Sequence, residues 1–229
     1  MKRIVVDIET DGLDAKIIHC VVIKEGDKIY SYRPSNLYNC VPHIESADII
    51  IMHNGVSFDA PVLKRILNVD IPLAKIRDTL ILSQMDNPIR DGGHSLEKWG
   101  ETLGFPKKEH EDFSEFSEEM LQYCVRDVEI TDRVYKSLIP NLKHFSPRSI
   151  KLEHQIRAVI DQQERNGFQL DVKAAMLLMG KLSDESAMIK ADLQNKFPPI
   201  VELRHSEKTG KRLKDKVTVF NPASRKQIA

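Results

Sequence analysis

The sequence predicts an α/β fold in which a β-rich start is followed by strands and helices in alternation. Three short runs near the N-terminus, IVVDIE, IIHCVVI and KIYSYRP, are separated by turn-forming Gly and Asp residues and predict three strands. The continuous apolar run IIIMHN is typical of a strand buried on both faces. The longer stretches that follow carry apolar residues at helical spacing. Together these observations favour a sheet covered by helices.

The first helices follow from their capping residues and apolar spacing. Short helices are predicted around VPHIES and in SFDAPVLKRIL. Asp78 is expected to cap TLILSQM, and Ser95 to cap LEKWGETLG. The clearest helix runs from a Ser117 cap to Leu138, and Pro140 is expected to end it.

The C-terminal third is predicted to be largely helical. The stretch IKLEHQIRAVIDQQERNG is a helix closed by Gly167, and a long helix from Asp171 ends near Pro198. A basic hairpin is expected around Thr209-Gly210. Asn221-Pro222 is a helix-start signal, yet only seven residues follow it. We therefore expect either a one-turn terminal helix or a chain cut from a longer protein.

Composition limits the class of protein. The chain has 229 residues, 41% of them hydrophobic and 30% charged, and contains no apolar run of the roughly 20 residues that span a bilayer. Cys20, Cys40 and Cys124 are widely spaced, as expected for reduced thiols in a cytosolic protein. Residues 1–150 carry 19 Lys and Arg against 24 Asp and Glu, whereas residues 181–229 carry 11 against 6. The acidic part would need a cation to approach a polyanion, and the basic tail would meet phosphates directly.

Two carboxylates interrupt the first predicted strand. Asp7 and Glu9 are two residues apart and therefore lie on the same face. Unpaired, they repel each other and are costly to bury, and a divalent cation removes both penalties. No Cys or His accompanies the pair in this stretch, so these oxygen ligands suit Mg²⁺ or Mn²⁺ rather than zinc. The alternative is a salt-bridged or edge-exposed strand. A second D-x-E, at 127–129, lies on a helix and cannot form the same pair.

Two further elements carry acidic residues. Asp59 follows the buried strand in HNGVSFDAP, at a strand end where α/β folds bind ligands. It could instead cap a helix that begins at Ala60-Pro61, and Asn54 could be a turn residue. Tyr123 and Asp127 are four residues apart on one helix face, although such a pair can also be merely solvated.

In order, D-x-E, N-x3-F-D and Y-x3-D resemble the three motifs of the DEDD superfamily of 3′→5′ exonucleases, in its tyrosine-containing branch. The histidine branch would need His at position 122, where this chain has Gln122. The resemblance covers about residues 1–140 and implies a ribonuclease H-like mixed sheet flanked by helices.

Other segments are similar to parts of family A DNA polymerases. ERNGFQLD and FNPASRKQIA resemble segments that lead into the thumb, and SYRPSN, FDAPVLKRIL, HSLEKWGETLG and QERNGF are similar to the exonuclease region of short-tailed, T-odd-type phage polymerases. This implies an exonuclease domain over 1–146. The start of a polymerase module, with helices, a basic hairpin and the beginning of a thumb, would fill 147–229. The palm motifs are missing, so polymerisation is not expected, and action in the cytoplasm, of a host cell if the protein is viral, is implied.

The resemblance also implies roles for five residues and two divalent cations, Mg²⁺ or Mn²⁺. Asp7, Glu9 and Asp127 would bind one cation, and Asp59 would hold the second, to which Asp7 helps to bridge. Tyr123 would orient the attacking water. The product would be a deoxynucleoside 5′-monophosphate released from a DNA 3′ end during proofreading.

By the same resemblance, Thr10, Leu13, Asn54 and Phe58 would contact a single-stranded or frayed DNA 3′ end. Core packing is the alternative for Leu13 and for Phe58, which stands where many relatives carry Tyr. The basic 204–216 segment would contact duplex DNA or be a solvated hairpin. No membrane partner is expected, and no processivity factor can be assigned.

Three other residues are not assigned to the site. Asp78 is sufficient as a cap, Trp99 fits an apolar helix face, and His94 is assigned no function.

Two rival functions stay open. The rivals are an exoribonuclease of the same superfamily and a non-catalytic nucleic-acid-binding domain. The polymerase-like tail argues against the first, and the complete set of four acids with a tyrosine against the second.

Overall fold

The computed structural model describes residues 1–206, 208 and 210–228, and it divides into two compact units, Met1–Gly167 and Phe168–Ala229. Thr209, where the hairpin turn was expected, lies outside the described residues. The first unit ends after Gly167, whereas the sequence-based division falls after residue 146. The helix that begins at residue 147 is therefore part of the first unit.

A five-stranded mixed sheet forms the centre of the first unit. The order across the sheet is β3-β2-β1-β4-β5. β1, β2 and β3 pair antiparallel, whereas β4 and β5 run parallel to β1, so the predicted mixed sheet is confirmed. The strands are β1 (Arg3–Thr10), β2 (Ile18–Glu25), β3 (Lys28–Tyr32), β4 (Ile49–Met52) and β5 (Ile76–Asp78).

Helices flank this sheet, and three begin at caps that the sequence predicts. Asp78, Ser95 and Ser117 each accept a backbone N–H from the first turn of the helix that follows. The helices of this unit are α1 (Val41–Glu45), α2 (Asp59–Leu67), α3 (Thr79–Asp86), α4 (Leu96–Thr102), α5 (Glu118–Leu142) and α6 (Pro147–Asn166), with 3₁₀ turns at Pro34–Cys40 and Leu73–Lys75.

The two faces of β1 belong to different halves of the core. Ile4, Val6 and Ile8 pack with residues of α1 and α2 on one side of the sheet. Val5, on the other face, packs with residues of α3, α4 and α5. Because α5 crosses this second face, the side chains that follow Val5 at every second position meet the helix.

The expected end of α5 at Pro140 is wrong, since the helix continues to Leu142. A proline in the last turn removes only one main-chain hydrogen bond, the one its nitrogen would donate to Lys136. Leu138 and Leu142 are both buried, so packing offsets that loss.

The second unit contains a long helix and a small hairpin. α7 (Val172–Lys196) starts at an Asp171 cap as predicted, and β6 (Ile200–Glu202) pairs antiparallel with β7 (Lys216–Thr218). An isolated bridge between His205 and Arg212 extends the expected hairpin.

The predicted helix start at Asn221-Pro222 is wrong. The Asn221 carbonyl accepts the N–H of Ser224 at 2.9 Å, and Asn221 Oδ1 accepts that of Ala223 at 3.1 Å, so residues 221–224 form a turn that precedes the helix. The terminal helix, α8, is Arg225–Ile228.

Two expectations from composition can be compared with the fold. Among the described residues, no helix is both long enough and apolar enough to cross a membrane. Cys20, Cys40 and Cys124 are free and buried.

Candidate active site

The register of β1 explains why a buried strand carries two carboxylates. Asp7 pairs with Val22 of β2 and Glu9 with Cys20, so both carboxylates lie on the β1 face that α5 covers. Glu9 is only 8% exposed. The sheet thus holds both acids on a rigid strand beneath a helix.

α5 supplies the residues opposite this pair. Asp127 is buried, and Cys124 Sγ donates a hydrogen bond to Asp7 Oδ2 at 3.3 Å. Ligand atoms of Asp7, Glu9 and Cys124 all lie within 4.8 Å of one another. The expectation that no cysteine accompanies the acidic pair is therefore wrong. Burial, followed by the neighbouring Cys20 and Asp7, raises the pKa of the Cys124 thiol, which favours the protonated donor over a thiolate ligand.

The segment between β4 and α2 has a tightly constrained backbone. Asn54 adopts a positive φ of 61°, which asparagine tolerates better than most residues. A Cβ at Gly55 would lie 2.2 Å from Cβ of Met52, so only glycine fits there. α2 begins at Asp59 itself, which excludes the alternative that Asp59 caps a helix starting at Ala60. Asp59 is buried at this first helical position.

β1, the β4–α2 segment and α5 meet in one cavity of about 690 Å³. The irregular segment between α4 and α5 also contributes to its wall. Its lining includes Asp7, Glu9, Leu13, His53, Asn54, Phe58, Asp59, His94, Lys107, Tyr123 and Asp127.

Four residues expected to touch substrate take different positions. Leu13 lines the cavity and is 93% exposed, so it is not a core residue. Phe58 both lines the cavity and packs against the core, and Asn54 lies beside it in the wall. Thr10 is buried and donates its hydroxyl proton to the Gly12 carbonyl at 3.0 Å, which fixes the turn that presents Leu13.

Lys107 is the main site residue that sequence reasoning missed. Its Nζ lies 2.6 Å from Asp127 Oδ2 and donates to the Tyr123 hydroxyl at 2.7 Å. Burial disfavours the ammonium, but attraction and hydrogen bonding to Asp127 and Tyr123 outweigh it and raise the Lys107 pKa. The residue lies in an irregular segment between α4 and α5, where neither periodicity nor spacing distinguishes it from the exposed Lys108.

The acidic groups of the cavity are poorly compensated. Burial, with repulsion from Asp127, raises the pKa of Asp7 to about 7. Burial and repulsion from Asp7 and Asp127 raise that of Glu9 to about 10, and burial raises that of Asp127 to about 6 despite Lys107. The pKa of Asp59 is also raised, by burial and then by Asp7 and Asp78. One lysine therefore does not balance four carboxylates.

This donor set fits divalent cations that prefer oxygen. In the described part of the chain, Asp127 Oδ1 is buried without a hydrogen-bond partner, which leaves it free to act as a ligand. A cation among the carboxylates would remove both the repulsion and the cost of burying charge. The residues present are therefore suited to Mg²⁺ or Mn²⁺.

The raised carboxylate pKa values predict how the stability of the metal-free protein depends on pH. An acid whose pKa is higher in the folded state binds more protons there, so stability falls as pH rises from the unfolded towards the folded pKa. The loss of stability due to Asp7 extends from about pH 4 to about pH 7. The loss due to Glu9 begins in the same range and continues to about pH 10. Neutral His53 and His154, whose pKa values burial lowers, have the opposite effect below pH 6.5.

In the presence of a chelator, we therefore expect the midpoint temperature of unfolding to decrease as pH is raised from 7 to 8.5. The decrease should be about 3 °C per pH unit for each extra proton bound in the folded state. Scanning calorimetry of wild type and an Asp7→Asn, Glu9→Gln variant checks this. The variant should be more stable at pH 8.5 and less sensitive to pH. A wild-type midpoint that rises across this window would contradict the charge assignment.

Comparison with solved structures defines the fold class of the first unit's sheet and helices. No family model matches the chain. Its fold is similar to that of Brucella melitensis NrnC with bound Mg²⁺, with a TM-score of 0.57 and 20% identity over 72% of this chain and 86% of that one. It is also similar to Escherichia coli RNase D, an exoribonuclease, with a TM-score of 0.53 and 16% identity over 68% of this chain and 45% of that one. The mixed sheet and its flanking helices thus form a ribonuclease H-like fold.

Sequence comparison identifies more specific relatives, which are phage DNA polymerases. The chain is 26% identical to the DNA-directed DNA polymerase of Enterobacteria phage T3 and 26% identical to that of Escherichia phage T7, in each case over 85% of its own length. It is homologous to these phage DNA polymerases and spans 37% of their length.

Proposed function

We propose that this chain is the 3′→5′ exonuclease portion of a phage replicative DNA polymerase, acting in the host cytoplasm, and that it removes deoxynucleoside 5′-monophosphates from DNA 3′ ends as a proofreading activity. The observation that carries the proposal is the convergence of four carboxylates and a tyrosine on one cavity. Homology to phage DNA polymerases supports DNA as the substrate. Residues 1–146 would contain the catalytic motifs, and residues 147–229 would lead into the polymerase module.

We further propose two divalent cations as cofactors. Asp7, Glu9 and Asp127 would hold one, and Asp59 would hold the other together with Asp7. When bound, such cations lower the pKa of a water nucleophile and stabilise the leaving 3′ oxygen. The Mg²⁺ bound to NrnC, the unpartnered Asp127 oxygen and the raised carboxylate pKa values support this assignment.

The chain's own residues would position the reactants. Burial raises the Tyr123 pKa, which favours a protonated hydroxyl that can orient water by hydrogen bonding rather than take its proton. Lys107 holds that hydroxyl and Asp127 together. The exposed Leu13 could wedge between the last bases, and Phe58 could stack on one of them. Thr10, through its turn, and Asn54 would complete the binding site for the strand.

The basic 204–216 segment is proposed to contact duplex phosphates. Arg212 already pairs with Asp215 and Lys216 with Glu202 within the hairpin. Lys211 and Lys214 are exposed. These two lysines are therefore the better candidates for phosphate contacts.

Relative rates on matched DNA and RNA oligonucleotides test the proposal against its enzymatic rival. We expect single-stranded DNA to be degraded from its 3′ end faster than RNA of the same sequence. Faster degradation of RNA would instead favour the exoribonuclease. Binding of both without degradation, in Mg²⁺ or Mn²⁺, would favour a non-catalytic domain.

Replacement of Tyr123 with phenylalanine should slow cleavage without weakening metal binding. The ring and its packing remain, but the hydroxyl that orients water is lost, so we expect kcat to fall by about 10- to 100-fold. The Mg²⁺-induced rise in thermal midpoint should match that of the wild type. Loss of that rise would contradict a purely orienting role for Tyr123.

A further inference from the structure

We propose that α6 is a positioning element of the exonuclease site, because it holds the β4–α2 segment through two polar tethers. That segment, residues 53–58, carries Asn54 and Phe58 and leads directly into Asp59. The inference rests on the proposed function, since it assigns α6 a part in the same reaction. The sequence-based division after residue 146 assigns α6 to the polymerase module. The inference instead gives α6 a part in the exonuclease reaction.

The first tether runs through Asp78. Its carboxylate accepts the backbone N–H groups of Asn54 at 2.9 Å and Val56 at 3.0 Å. Its own N–H donates to His154 Nε2 at 3.0 Å, and His154 Nδ1 donates in turn to the Ile150 carbonyl at 2.8 Å. Asp78 is 1% exposed and His154 3%, so water cannot readily replace these bonds. Asp78 thus does more than cap α3.

The second tether reaches the other half of the segment. Ser57 Oγ donates to Asp161 Oδ1 at 3.0 Å and accepts from Arg157 Nε at 2.8 Å. Arg157 Nη2 also pairs with Asp161 Oδ1 at 2.6 Å. Asp161 is only 4% exposed, whereas the Arg157 side chain is 32% exposed, so this bridge is anchored at a buried carboxylate and is partly buried. Ser57 lies two residues before Asp59, and its position therefore constrains the start of α2.

The spacing along α6 brings both tethers to one face. His154, Arg157 and Asp161 are separated by three and four residues, which places them on adjacent turns of the same side of the helix. Residues 53–58 lie outside any strand, so they have no ladder of sheet hydrogen bonds to fix their geometry. Side-chain tethers supply that constraint, and a displacement of about 1 Å near a reacting centre can cost about 100-fold in rate.

The test compares Ser57→Ala with Ser57→Thr in the full chain. Alanine removes both hydroxyl contacts, whereas threonine keeps the hydroxyl. Asp161→Ala breaks the same tether from the α6 side, and the exposed Gln163→Ala is the control on the same helix. Amide hydrogen exchange of residues 54–60 reports the tether without metal or DNA. Single-turnover cleavage of single-stranded DNA, measured well below the thermal midpoint, reports the reaction.

We expect Ser57→Ala and Asp161→Ala to speed exchange in the segment and to lower the cleavage rate by about tenfold. Ser57→Thr should restore both quantities and Gln163→Ala should change neither. Faster exchange with a wild-type cleavage rate would overturn the positioning role, and unchanged exchange would overturn the tether.

Failure of the proposed function can be recognised separately. A wild-type chain that releases no nucleotide would contradict the exonuclease proposal but not the tether. In that case, the Mg²⁺ concentration needed to raise the thermal midpoint is compared between the wild type and Ser57→Ala, and this comparison tests the positioning role of α6. A higher requirement in Ser57→Ala would support positioning of Asp59 by α6, whereas an unchanged requirement would overturn it.

Discussion

Replacing both Asp7 and Glu9 with alanine should abolish release of mononucleotides, with a loss of at least about 1000-fold. The two carboxylates lie on one face of β1 and supply half of the acidic donors in the cavity. Without them, charge developing on the reacting phosphate would lose its stabilisation, an effect worth several kcal/mol in metal-dependent catalysis. The rate is measured as release of label from 3′-labelled single-stranded DNA in Mg²⁺.

The matched control removes two exposed carboxylates from the same unit, in an Asp14→Ala, Asp27→Ala variant, and should retain wild-type activity. Misfolding can be distinguished as well. Because the site acids are buried and repel one another, the inactive variant should unfold at an equal or higher temperature than wild type in a chelator at pH 8.5. Undiminished cleavage by the variant without Asp7 and Glu9 would falsify the assignment of the metal site.

Lys107→Met is expected to slow cleavage and, at the same time, to change metal binding. The substitution leaves Asp127 without its 2.6 Å partner and releases the Tyr123 hydroxyl, so kcat should fall by about 10- to 100-fold. Removal of a positive charge from the cavity should also strengthen binding of a divalent cation. The Mg²⁺ concentration needed to raise the thermal midpoint should therefore decrease. Slower chemistry combined with tighter metal binding distinguishes Lys107→Met from Tyr123→Phe, which should leave metal binding unchanged.

Lys108→Met is the control because it removes the same charge from the adjacent, exposed position. It should leave kcat unchanged. Equal slowing by both variants would show that the lysines act through general attraction of DNA, and an unchanged kcat in Lys107→Met would contradict its role in the site.

The sheet and the acidic strand were predictable because they depend on local periodicity. A two-residue repeat places Asp7 and Glu9 on one face, and β1 has that register. Caps at Asp78, Ser95 and Ser117 were equally local and are confirmed. The end of α5 was not predictable from Pro140 alone, since burial of Leu142 depends on the rest of the core.

The remaining parts of the site depend on contacts between distant residues. Lys107 reaches Asp127 from an irregular segment, and no pattern marks it. Ser57 meets Asp161 across 104 positions in the chain, and Asp78 meets His154 across 76. Helical periodicity predicted α6 but could not indicate which surface its polar face would contact. The resemblance predicted roles for the four acids that line the cavity, whereas these supporting contacts emerge only from the fold.

The most direct test of the account is degradation of single-stranded DNA labelled at either end, with Mg²⁺ or with a chelator. In Mg²⁺, 3′-labelled DNA should release its label as a mononucleotide at the first turnover, and 5′-labelled DNA should shorten one nucleotide at a time. The chelator should stop both reactions. Cleavage that persists without metal, removal of nucleotides from the 5′ end, or no cleavage in Mg²⁺ or Mn²⁺ would contradict a metal-dependent 3′→5′ exonuclease.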